Sequence, residues 1–228
     1  MRKTAFLAGT LLLPLFCTVA WAHGVAGGDA AYLESVRGVQ FFPLAYLGAK
    51  HMVTGYDHLL FLAGVMFFLY RLKDVALYAT LFAVGHSLTL LLGVLAGIKA
   101  NAYIVDAIIG LSVVYKALDN LGAWYKWGIA INPRAAVFAF GLAHGFGLST
   151  KLQDLALSRD GLAGNILSFN VGVELGQIVA LAFILLALQL WRRRGSFLHG
   201  AWAANVIIMT AGLVLFGYQL TGYFMSRA

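Results

Sequence analysis

The chain has 228 residues, of which 61% are hydrophobic and only 11% charged, against about 25% charged in an average soluble domain. With a mean hydropathy of +0.85, this excludes a soluble globular enzyme, a disordered chain and a nucleic-acid-binding domain. The net charge of +7 arises from 16 Lys and Arg against 9 Asp and Glu, and the basic residues stand singly or in short clusters between apolar runs, as in the loops of a polytopic membrane protein.

Arg2 and Lys3 precede a short apolar run over residues 5–19, and Ala20-Trp21-Ala22 offers small residues at the two positions a signal peptidase reads. The expected organisation is a cleavable signal peptide over residues 1–22, then a single six-span transmembrane domain over 23–228. Cleavage makes His23 the first residue, with an amine and a ring nitrogen suited to Cu²⁺ or Ni²⁺. Cys17, the only cysteine, leaves with the signal, so any metal must be held by imidazole, carboxylate, amide or thioether. That donor set favours Ni²⁺, Co²⁺, Zn²⁺ or Cu²⁺.

Six apolar stretches follow, long enough to cross about 30 Å of hydrocarbon, over 54–70, 74–98, 102–121, 133–149, 165–190 and 201–223. The predicted fold is therefore all-α, a six-helix transmembrane bundle. With the mature N-terminus outside, Arg71, Lys73, Lys126, Arg134 and Arg192-Arg193-Arg194 fall in cytoplasmic loops, and Lys99, Lys151 and Arg159 in outer ones. The expected location is a bacterial inner membrane with both mature termini periplasmic. Gly93/Gly97, Gly141/Gly145 and Gly172/Gly176 are small-xxx-small pairs that allow helices to approach closely.

Ionisable groups inside a span cost roughly 2.5–3.5 kcal/mol each near its centre, so several together point to function. The first span opens with His51, Asp57 and His58. The two histidines lie about 10 Å apart along a straight helix and reach one ion only if the helix bends or starts near Gly55. His86 lies near the middle of the second span, Asp106 toward the outer end of the third, and His144 in the glycine-rich fourth. Asn170, Glu174 and Gln177 share one face of the fifth. On the predicted topology His51, Asp57, His58, Asp106, His144, Asn170 and Glu174 occupy the outer half and His86 the midplane, lining one cavity open to the periplasm. Asp57 is placed to orient a ligand. Asp119-Asn120 reads as a cap or loop-facing pair, and His199 as a solvated interfacial residue. The inner halves are apolar apart from Lys116, Asp119, Asn120 and Gln189.

Five short motifs on successive spans carry a resemblance. They are His51-x-x-x-Gly55-x-Asp57-His58, Gly85-His86-Ser87-x-Thr89, Ala117-x-Asp119-Asn120, Phe140-Gly141-x-x-His144-Gly145-Phe146-Gly147 and Phe169-Asn170-x-Gly172-Val173-Glu174-x-Gly176-Gln177. In these the chain resembles the HupE/UreJ family of hydrogenase and urease accessory membrane proteins, in its second, shorter-motif branch. The resemblance implies a nickel- or cobalt-type permease supplying metalloenzyme maturation proteins. The better-known branch has a proline where this chain has Met52 and an acid where it has Gly147. Glu174 is the residue expected to supply that carboxylate from the next span.

The functional expectation is a permease or facilitator for a divalent transition metal. The ligand candidates are His51, His58, His86 and His144, with Asp57 and Glu174 balancing charge and Asn170 and His23 as further donors. The same residues also suit a zinc-dependent intramembrane hydrolase, with Ser87, Thr89 or Ser149 as hydroxyl. A non-transporting metal-binding accessory protein is the third class. The partners expected are a metal ion and the lipid bilayer. No nucleotide, organic cofactor or nucleic acid is expected.

Overall fold

The structure, a computed structural model, describes residues 27–155 and 157–227. The expected signal peptide and His23 lie outside the described residues. Within them the chain is helical: α1 (Gly27–Ser35), α2 (Phe41–Thr54), α3 (Tyr56–Met66), α4 (Leu72–Ala96), α5 (Ala102–Asn120), α6 (Ala123–Lys126), α7 (Pro133–Leu152), α8 (Leu162–Arg192) and α9 (Phe197–Met225). Three of these, α4, α8 and α9, are long and apolar enough to cross a membrane. Asn101 and Asn132 cap α5 and α7 by accepting N–H bonds from Ile104 and from Arg134 and Ala135, and Pro133 occupies the first turn of α7, where no N–H is needed.

The expected spans from 74 onward coincide with helices to within a few residues at each end. The first does not. Instead of one helix over 54–70, the chain forms α2 and α3, separated by Gly55 in an extended conformation (φ −72°, ψ 100°). Pro43, Lys50 and His51 interrupt the apolar run of α2, so it lies outside the expected spans. Pro43 costs little in a first turn, and the Lys50 ammonium lies 2.7 Å from the Asp29 carboxylate of α1. At Gly55 a Cβ would stand 2.9 Å from His58 Nδ1 and 3.0 Å from the His51 carbonyl, so a side chain there would crowd both histidines.

Together α2 and α3 run parallel to α8. At one end Gly38 N–H donates to Asp160 Oδ2 (2.9 Å), and Asn165 bonds both Gly38 O and Gln40 N–H. At the other, the Arg192 guanidinium donates to the last carbonyls of α3 and its exit, Met66, Phe67 and Leu69, at 2.6–3.0 Å, and stacks on the Tyr70 ring. The Gly55 break falls level with Gly176 and Ala180, about midway along α8.

Two glycine seams set the spacing. The α2 carbonyls of Ala45 and Ala49 lie against Gly172 and Gly176 of α8, and the α4 carbonyls of Phe82 and His86 against Gly141 and Gly145 of α7. The expected Gly93/Gly97 pair divides. Gly93 packs on Ser149, whereas Gly97 is the left-handed C-cap of α4 with nothing near it. On the far side α9 packs antiparallel on α5, where Gly110 meets Phe216 and Asn120 meets Asn205. Asn120 thus corrects the cap or loop-facing reading, because its amide donates to both Gly64 O and Asn205 Oδ1 at 2.8 Å and ties three helices.

Gly172→Val should destabilise the fold by about 1–3 kcal/mol, since its Cβ meets the Ala45 carbonyl. Gly217→Ala, with no heavy atom near the added carbon, should leave stability unchanged or raise it by about 0.5–1 kcal/mol. Thermal unfolding in detergent checks both.

Candidate metal centre

The break at Gly55 turns two histidines, seven residues apart, toward each other. His51 ends α2 and His58 opens α3, and their ring centroids are 5.2 Å apart. His58 is the hub, with its ring 5.6 Å from His86 of α4 and 4.9 Å from His144 of α7. Four helices therefore deliver four imidazoles to one place. His58, His86 and His144 are fully buried, His51 partly so. The cluster lies at the mid-length of the bundle, where His86 was expected, so His51, Asp57, His58 and His144 are deeper than the outer-half position expected from sequence. For His51, Asp57 and His58 the reason is the extra length that α2 adds before the break.

Local bonds prepare two of these rings. Asp57, also fully buried, holds Oδ1 3.2 Å from His58 Nδ1, in the first turn of α3, where the helix dipole favours an anion. His144 Nδ1 lies 2.8 Å from the Phe140 carbonyl. A carbonyl only accepts, so Nδ1 carries the proton and the lone pair of a neutral ring is on Nε2. His86 differs. It is 1% exposed, and neither ring nitrogen has a hydrogen-bond partner among the described residues. A buried polar group left so costs about 1–3 kcal/mol.

Two imidazoles sharing a tetrahedral ion, each nitrogen about 2.1 Å from it, have ring centroids roughly 5 Å apart. The spacings around His58 are 4.9, 5.2 and 5.6 Å. Among the described residues no three His, Asp or Glu side chains are already set at bonding distance around a point, so the match is one of ring spacing.

Three phenylalanines close the cluster on one side. Phe61 follows His58 by three residues, while Phe82 and Phe140 precede His86 and His144 by four. Because α3 runs toward the Arg192 end and α4 and α7 run away from it, all three rings stand one turn on that side. Phe61 lies 5.3 Å from Phe82 and 5.8 Å from Phe140, and both Phe61 and Phe82 contact His144. Sequence reasoning missed this layer, although i,i+3 and i,i+4 spacing combined with helix direction carries the signal.

The remaining candidates lie elsewhere. Asn170 and Glu174 join Ser87 on the α4–α8 seam: Asn170 Nδ2 donates to Ser87 Oγ (3.0 Å) and Glu174 Oε1 (3.3 Å), and Ser87 Oγ donates to the same carboxylate. Glu174 faces out of the bundle, and its recorded partners are these two residues rather than a histidine. Gln177, on the same face, donates to Ala79 O. Asp106 also leaves the shared cavity assigned to it, pairing with Lys151 across the α5–α7 seam at 2.7 Å. The carboxylate beside Gly147 is therefore that of Asp106, not Glu174. His199 is exposed, as expected of an interfacial residue.

These motifs run from His51 to Gln177, and residues 28–227 match the HupE / UreJ protein family. The chain belongs to the HupE/UreJ family. No curated protein and no solved structure matches it. In this HupE/UreJ protein the motif histidines His51, His58, His86 and His144 are the four rings that meet.

Because His86 has no hydrogen-bond partner to lose among the described residues, His86→Leu should leave thermal stability unchanged or raised by up to about 1 kcal/mol. A large loss in melting temperature would show that the ring is held by bonds of its own.

Proposed function

We propose that this HupE/UreJ protein is a permease or facilitator for a divalent transition-metal ion of the nickel or cobalt type, with the ion as substrate. The observation that carries the reading is the mid-bundle meeting of four imidazoles around His58, one of them, His86, buried without a hydrogen-bond partner among the described residues. Nickel or cobalt bound by imidazole would satisfy that nitrogen, and no cysteine is needed. Discontinuous helices with ligands at the break are how many transporters build a site at mid-depth, and the Gly55 interruption has that form.

In this reading α2 and α3 together form the first of six spans. The Arg192 end, with its seven basic loop residues, is cytoplasmic, and both mature termini are periplasmic. The membrane is the bacterial inner membrane, reached through the cleaved signal peptide. The ion arrives from the Lys151 end and exchanges water for His51, His58, His86 and His144, with Asp57 holding the His58 ring. His23 joins as a fifth donor. Asp29, bonded to Lys50 beside His51, is six residues from His23 in the chain. The phenylalanine layer is the barrier toward the cytoplasm, and its opening releases the ion. Asn170 and Glu174 serve the path on the α4–α8 side, and delivery is to metalloenzyme maturation proteins.

Purified protein in liposomes should load Ni²⁺ or Co²⁺ onto an internal dye, with His58→Ala and His144→Ala reduced to the level of empty liposomes. Asp57→Asn should weaken Ni²⁺ affinity about 10–100-fold while the protein stays folded. Metal that binds to the wild type yet never crosses would end the permease reading and favour the accessory or hydrolase classes.

A further inference from the structure

Asp106 belongs to no part of the histidine cluster, and its surroundings are unusual. It is 5% exposed, on α5, and one carboxylate oxygen, Oδ2, accepts from Lys151 at 2.7 Å. The other, Oδ1, is buried and has no hydrogen-bond partner among the described residues. A structural ion pair buried this deeply repays its desolvation only when the remaining lone pairs are also satisfied, and here one oxygen is left over. That oxygen lies 3.4 Å from where a Cβ on Gly147 of α7 would stand, beside the Ile109 and Val105 side chains of α5, so only a glycine lets the two helices pack this closely against it. Gly147 is three residues, about 4.5 Å along the axis, beyond His144, on the side away from the phenylalanine layer.

Lys151 lies one turn further out on the same helix, with 19% of its side chain exposed. Its ammonium is a tethered monovalent cation at the mouth of a buried carboxylate that still has an acceptor to offer. A lysine stem has the freedom to swing its charge back to solvent without moving the helix.

We propose that Asp106 is a second, oxygen-based cation site, a way station between the Lys151 end and His144, which Lys151 occupies as a built-in surrogate until a divalent ion displaces it. The ion takes both carboxylate oxygens and keeps part of its water, while the Lys151 ammonium moves out to solvent. Its role in passage rests on the permease reading, but the site itself does not. A single carboxylate with water selects weakly, whereas the imidazoles beyond it select for nickel- and cobalt-like ions. Division of labour follows: the carboxylate captures, the histidines discriminate.

The test uses Mn²⁺, an oxygen-preferring ion, bound to full-length protein in detergent and followed by loss of its free electron paramagnetic resonance signal. Lys151→Gln should bind one Mn²⁺ at least tenfold more tightly than wild type. Lys151→Arg, which keeps the pair, should not. Adding Asp106→Asn to Lys151→Gln should abolish the gain, and the neutral amide pair leaves no unpaired buried charge to compromise folding. Mn²⁺ should also raise the melting temperature of Lys151→Gln but not of the double variant. The proposal is overturned if wild type and Lys151→Gln bind Mn²⁺ equally, or if the gain survives Asp106→Asn. Repeating the titration in His58→Ala separates the two readings, because the carboxylate site should persist when the imidazole site is lost.

Discussion

One residue out of helical register, Gly55, underlies the arrangement of the whole centre. On a continuous helix His51 and His58 would share a face but stand two turns apart, and no ring rotation would bring them to one ion. With the chain extended for a single residue, α2 ends and α3 begins in the middle of the bundle, and the two rings come to 5.2 Å. The break also creates a helix N-terminus deep inside the protein, and Asp57 in its first turn is the anion that such a terminus stabilises. The same carboxylate then reaches His58, so the backbone interruption, its electrostatic compensation and the orientation of the central imidazole are one feature.

The break would be useless without neighbours at the right distance, and the glycine seams supply them. His86 and His144 lie on α4 and α7, whose backbones are in direct contact at Gly141 and Gly145, so the two rings are carried to the same level and both meet His58. The α2–α8 seam at Gly172 and Gly176 does the same for the unsupported half of the broken span. In lipid, where apolar contact between helices is not driven by water, close approach of this kind and a few buried amides such as Asn165 and Asn205 are the available means of fixing position. Polar chemistry is confined accordingly. The imidazoles face one another, the phenylalanines seal one side, and Lys116, Asp119, Asn120 and Asn205 on that side satisfy one another rather than line a path.

Much of this was legible in the sequence. Five of the helices follow from apolar length, Pro133 at a helix start and polar separators, because a chain in hydrocarbon has few ways to satisfy its backbone other than helices. The histidines stood out because ionisable groups are scarce in such segments. The first span was misjudged because Pro43, Lys50 and His51 depress its hydropathy, while their costs are met by position and by the Asp29 partner, neither of which a window registers. Asp106 was misplaced for a similar reason: depth alone put it with the histidines, and only packing pairs it with Lys151.

Composition and local spacing determined the helical class, the family, the positions of most helices and which ionisable residues fall inside the apolar segments. The tertiary structure alone decided which of those residues meet. Convergence of four rings depends on how α2, α3, α4 and α7 are rotated and how deeply each is set, and these quantities come from contacts between residues far apart in the chain. For that reason Asn170 and Glu174, read as part of the same centre, pair with Ser87 on another seam, and three phenylalanines that read as ordinary apolar positions form a wall of the site.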